Sequence, residues 1–170
     1  LVLINDIDVL ICYLWLFRIN ANERKQYDWE GRGPVTALAA NPFQARLLAS
    51  GASASELFIW DLNSPMSPMS PGPKQQPYDQ IVSVQWNQKV EHILGSLTST
   101  RSTIWDLRKG DGPILTLGDI GTRAQWQEMR WHPEAATTLC LASQEDHFPV
   151  VQTWDVRFAN SPLLQLDGHQ

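Results

Sequence analysis

The chain has 170 residues, 43% of them apolar and 18% charged, which supplies a packed core and excludes global disorder. Net charge is -5 at a pI near 5.2, with no basic stripe, which argues against a nucleic-acid partner. Two cysteines, Cys12 and Cys140, cannot build a disulfide framework and fit a reducing, intracellular setting; the unusual count is eight tryptophans.

Residues 1–19 read LVLINDIDVLICYLWLFRI. The charge-free stretch runs only from Val9 to Phe17, too short for the roughly 20 apolar residues of a membrane span. Asp6, Asp8 and Arg18 close off an extension, and the start is acidic where a signal peptide wants basic residues. Three readings stay open: one or two buried strands, a short interfacial helix, or sequence foreign to the domain that follows. Composition shifts at Asn20, and residues 1–30 are left unassigned. Gly31-Arg32-Gly33 lacks the rest of a phosphate-binding fingerprint and reads as a turn before a strand.

From residue 31 onward the chain repeats. Trp-Asp occurs at Trp60-Asp61, Trp105-Asp106 and Trp154-Asp155, with spacings of 45 and 49 residues. A serine precedes each tryptophan: Ser50 by ten residues, Ser96 by nine, Ser143 by eleven. Further upstream, Asn41, Asn87 and His132 each follow a strand-like run. VTALA, IVSVQW and QEMRW alternate with the two-residue period of a half-buried strand. The expected fold is therefore all-β: a WD-repeat β-propeller of about three four-stranded blades, at about residues 33–78, 79–121 and 122–167.

The repeated residues have a structural rationale. Each tryptophan buries a large area, yet its indole N–H needs an acceptor. The serine one strand earlier is the expected partner. The wider hydrogen-bond network of such blades looks depleted: Gly-His occurs only at Gly168-His169, and a turn aspartate is plausible only at Asp146. Propellers typically have four to eight blades. Three blades leave the circle open, so the chain is expected to be part of a larger, seven-bladed propeller.

The remaining candidates take bland readings. Ser64, Ser67 and Ser70 each precede a proline in the bridge between the first two blades, which holds five prolines from Pro65 to Pro77. That bridge is expected to be a solvated, extended loop, with the three serines as possible phosphorylation sites. Cys140 sits in LCLAS without flanking cations and reads as a buried structural thiol. Glu145-Asp146-His147 has no second ligand cluster at metal spacing and reads as a blade turn. No catalytic, cofactor-binding or metal-binding residue is expected.

Three stretches carry a more specific resemblance: NPFQARLLASGASASELFIWDLN, HILGSLTSTRSTIWDLRKGDGPIL and WHPEAATTLCLASQEDHFPVVQTWDVRFANSPL. Each resembles a blade of the large outer-cage subunit of the COPII vesicle coat, the protein transport protein Sec thirty-one family. The bridge SPMSPMSPGPKQQP resembles that family's insert between blades. The similarity covers about residues 33–169; it departs at Asp119-Ile120-Gly121, where the family tends to have a histidine, and around Ala124 to Gln127. It implies a non-catalytic scaffold in transport from the endoplasmic reticulum to the Golgi. It also implies a cytoplasmic location on coated vesicles and exit sites, with peripheral membrane association through the coat. Family members partner the Sec thirteen propeller subunit and the inner COPII coat, through segments that correspond to no residue of this chain. A rival comes from Trp105-Asp106-Leu107-Arg108 and Trp154-Asp155-Val156-Arg157. Trp-Asp-x-Arg resembles a motif in propeller substrate receptors of cullin-type ubiquitin ligases, although an arginine pairing with a nearby carboxylate explains it equally.

Overall fold

A computed structural model describes residues 34–64, 67–117, 124–144 and 149–168. The readings of residues 1–33, Asp119 to Gly121, Glu145 to His147 and His169 lie outside the described residues. Every regular element among the described residues is a strand. The first sheet holds β1 (Val35–Ala40), β2 (Leu47–Ala52) and β3 (Leu57–Asp61) in that order. The second holds β4 (Ile81–Trp86), β5 (Ile93–Thr98), β6 (Ser102–Asp106) and β7 (Leu115–Leu117). The third holds β8 (Trp126–Trp131), β9 (Thr138–Ser143), β10 (Val150–Asp155) and β11 (Leu164–Asp167). All pairings are antiparallel between sequence neighbours, and β1, β4 and β8 lie side by side, as in consecutive propeller blades.

The repeat extends to irregularities. Each first strand shifts register near its start, between Val35 and Ala37, Ile81 and Ser83, and Trp126 and Glu128. One extra residue at the same place in each blade bends the strand in the same sense.

The first blade departs from the four-stranded expectation. Its fourth strand is reduced to one bridge, in which Ile59 and Met69 exchange N–H···O bonds of 2.7 and 2.8 Å. The residue two positions on, where the ladder would make its next bond, is Pro71, which has no N–H to donate.

Core packing follows from the stacking of three sheets. The middle sheet is covered on both sides, so β6 is buried at all five residues. The flanking β8 keeps the alternation of a strand with one covered face, burying Trp126, Met129 and Trp131 and exposing Glu128 and Arg130. Cys140 is half-buried rather than buried, because Leu139 and Leu141 on either side take the core face of β9. Close approach between blades depends on glycine at two points. A Cβ on Gly51 would stand 2.4 Å from Ile81 Cγ2, and one on Gly95 would stand 2.7 Å from Met129 Cε.

Candidate functional site

The described residues hold no group of three or more metal-ligating side chains, and the chemistry of the chain lies in how blades are fastened. Trp60 Nε1 donates to Ser50 Oγ at 2.7 Å, and Trp105 Nε1 donates to Ser96 Oγ at 2.9 Å. Register explains both. Trp60 pairs with Leu48 and Trp105 with Leu94, so Ser50 and Ser96 each sit two residues further along the neighbouring strand, on the same face.

The third blade differs. Trp154 pairs with Leu139, so the serine's place is taken by Leu141, and Ser143 lies two residues too far along. Trp154 Nε1 instead donates to Gln152 Oε1 at 3.1 Å, while Ser143 Oγ accepts the Val150 N–H at 2.9 Å. The cause is hairpin length. The pairs Ser50–Phe58 and Ser96–Thr103 are eight and seven residues apart, whereas their equivalent, Leu141–Gln152, is eleven apart. A spacing of eleven between Ser143 and Trp154 therefore looked regular in sequence while falling out of register in space.

The aspartates of the repeat cap the turns that follow. Asp61 Oδ1 accepts the Asn63 N–H at 3.0 Å. Asp106 Oδ1 accepts from Arg108 N and Nε, both at 3.0 Å, and its Oδ2 accepts from Nη2 at 2.8 Å. Asp155 holds Arg157 in the same way, with Nη2 at 2.5 Å from Oδ2. These forked bonds, together with the backbone N–H, hold both carboxyls at about 2, against the opposing effect of burial. The arginines of the two Trp-Asp-x-Arg motifs are thus engaged by their own aspartates.

A second set of side chains, whose role the sequence did not reveal, joins one blade to the next. Asn41 Oδ1 accepts the N–H groups of Phe43 and Gln44 at 2.8 and 2.9 Å, and its Nδ2 donates to Glu91 O of the second blade at 2.9 Å. Asn87 does the same one blade later. It accepts from Lys89 and Val90, both at 2.9 Å, and donates to Ala136 O at 2.7 Å. In the opposite direction, Trp86 Nε1 donates to Ala39 O at 3.0 Å and Trp131 Nε1 to Gln85 O at 3.1 Å. Lys89 and Glu134 pair across the second boundary at 2.8 Å. The strand-ending Asn41, Asn87 and His132 were visible as a repeat; the reach of Asn41 and Asn87 between blades was not, because their acceptors are main-chain carbonyls. Trp126 Nε1 is buried without a partner, which no contact in the structure explains.

The proline-rich bridge is largely exposed, as its composition suggests, but its backbone is pinned. Arg101, at the β5–β6 turn, donates to the carbonyls of Gln75, Gln76 and Pro77, with Nη2 at 2.9 Å from Gln75 O and 2.7 Å from Pro77 O. Lys74 pairs at 2.7 Å with the buried Glu56, and Thr100 Oγ1 donates to Asp79 Oδ2 at 3.0 Å. Pro71 is buried, and a Cβ on Gly72 would stand 2.8 Å from Gly112 Cα. Proline lowers the entropy lost on ordering the segment, and one guanidinium satisfies three carbonyls. Ser64, Ser67 and Ser70 are all exposed on this strap, and Ser70 Oγ donates to Gly72 O at 2.7 Å.

No family model matches the chain. Protein transport protein Sec31A of Rattus norvegicus is 51% identical over 138 residues, covering 81% of this chain and 11% of the relative. Protein transport protein SEC31 of Dictyostelium discoideum is 42% identical over 141 residues, covering 81% of this chain and 10% of the relative. The chain thus spans about a tenth of the length of the curated relatives it matches. Among solved structures, the outer coat vertex of COPII on membranes superposes with a TM-score of 0.72 at 31% identity, over 79% of this chain and 38% of that one. The COPII coat assembled on membranes matches with the same TM-score and identity, over 21% of its chain.

Proposed function

The chain belongs to the Sec31 family, and from that premise we propose that it is a non-catalytic, structural part of the COPII outer coat. The observation that carries this reading is 51% identity over 138 residues, 81% of the chain, together with superposition on a coat-vertex chain. The fold supports it: buried side chains and inter-blade bonds fasten the three sheets to one another, as a structural part requires. On this reading the protein acts in the cytosol at vesicles and endoplasmic reticulum exit sites, and reaches membrane through other coat subunits. Nothing favours the ligase-receptor alternative, since Arg108 and Arg157 both cap their own turns.

The test is an exchange. The matching segment of rat Sec31A is replaced by residues 34–168 of this chain, and outer-coat assembly is followed on membranes carrying the inner coat. Cage assembly at the level of unaltered Sec31A is expected. A stable, soluble exchange protein that forms no cage would refute the reading.

A further inference from the structure

Ser-Pro occurs three times on the strap, beginning at Ser64, Ser67 and Ser70. The proline after Ser64 lies outside the described residues. The other two dipeptides look alike in sequence and differ in the fold. Both serines are exposed, but Ser67 Oγ has no hydrogen-bond partner among the described residues, whereas Ser70 Oγ donates to Gly72 O at 2.7 Å. The prolines that follow them differ too: Pro68 is half-buried and Pro71 is buried.

The cause is where the strap is fastened. Gly72 lies against the β6–β7 turn, where a Cβ on it would stand 2.8 Å from Gly112 Cα and 3.2 Å from Trp105 Cζ3. Beyond it come the Lys74–Glu56 pair and the three carbonyls held by Arg101. All of these ties lie on the C-terminal side of Ser70. On its other side is the Ile59–Met69 bridge, a single pair. An enzyme that modifies Ser-Pro must take the hydroxyl and the proline together, because proline is distinguished by its ring and its missing N–H. Proline also holds the residue before it extended, the shape that an open substrate groove accepts. Ser67-Pro68 presents a free hydroxyl and a partly exposed ring. Ser70-Pro71 presents the hydroxyl without the ring, and lifting Pro71 out means parting Gly72 from Gly112.

We propose that Ser67 is a phosphorylation site of the folded protein, used by a proline-directed protein kinase, and that Ser70 becomes one only when the strap is released. The kinase transfers the terminal phosphoryl group of ATP. The bond from that phosphorus to the ADP oxygen breaks, a bond to Ser67 Oγ forms, and the hydroxyl proton passes to the kinase's base. The product carries about two further negative charges. Because the main ties lie beyond Ser70, the phosphate stands on a strap that stays in place. The inference stands on strap geometry alone and is independent of any role in a coat.

The test compares the folded chain with the free peptide SPMSPMSPGPKQQP, residues 64–77. Both are incubated with ATP and one kinase of the cyclin-dependent class, and phosphate at each serine is followed by mass spectrometry. The peptide gives the kinase's own preference between the serines. In the folded chain Ser67 should react within about threefold of its rate in the peptide, and Ser70 about tenfold or more below its own, because a masked site reacts only through its open fraction. Arg101→Met should raise the Ser70 rate toward that of the peptide and leave Ser67 unchanged. Ser70 as fast in the folded chain as in the peptide overturns the proposal, as does Ser67 slowed as much as Ser70. A Ser70 rate unmoved by R101M overturns the strap as its gate. If R101M loses the strand signature in circular dichroism, Gly72→Ala takes its place, since the added Cβ pushes the strap off Gly112, and its reference peptide carries the same change.

Discussion

Gln152 and Ser143 make opposite claims on the indole of Trp154, and a double-mutant cycle separates them. Gln152 and Trp154 are 3% and 4% exposed, so a donor that loses its partner there cannot turn to water. Gln152→Met keeps the side chain's length and apolar stem but removes the oxygen 3.1 Å from Nε1. It also removes the bond from Gln152 Nε2 to Gln165 Oε1 at 2.8 Å, but Gln165 is exposed and recovers a water there. The orphaned indole N–H should then dominate, at about 1–3 kcal/mol. Trp154→Phe abolishes the donor, so in the double variant nothing is orphaned. Gln152→Met and Trp154→Phe should therefore couple by about 1–2 kcal/mol in urea unfolding. Ser143→Ala has its own cost, through the Val150 N–H it leaves. That cost should add to Trp154→Phe with coupling below about 0.5 kcal/mol. Coupling of Ser143 rather than Gln152 to Trp154 would refute the register argument and restore the simple spacing rule.

Two further outcomes follow from the bridge and the turns. Arg101→Met should loosen the strap while leaving the blades folded, because it removes the guanidinium from the carbonyls of Gln75, Gln76 and Pro77, of which Pro77 O keeps the Asp79 N–H at 3.0 Å. Proteolysis within residues 67–79 should rise about tenfold or more, and an unchanged rate would show the strap is held elsewhere. Asp106 and Asp155 titrate in the fold at about 2, below their unfolded value of about 4. Their stabilisation is therefore complete above about pH 4 and is lost as pH falls toward about 2. Arg108→Gln with Arg157→Gln should lower the urea midpoint at neutral pH and flatten its fall below about pH 4, modestly because the arginines are mostly exposed and screened. An acid limb of undiminished slope would refute this.

Sequence alone determined the blade as a unit. Two-residue alternation, turn residues and the recurring Trp-Asp are local signals, and each depends on residues a few positions apart along one or two strands. The Trp60–Ser50 and Trp105–Ser96 pairs were legible for that reason, since hairpins of similar length set their register. Only the tertiary structure decided what depends on register across a longer hairpin or on contact between blades. The Gln152 partner of Trp154 was hidden because a hairpin longer by three or four residues moves Ser143 past the indole while leaving the count near ten. The links from Asn41 and Asn87 were hidden because their acceptors are backbone carbonyls, which no residue type announces. Composition conveyed the strap's exposure but not its fastening, since proline and serine mark an extended segment equally well whether its backbone is free or pinned. What pins it is Arg101, about 25 residues downstream in sequence, which the antiparallel pairing of β4 with β5 brings back beside the residues that lead into β4.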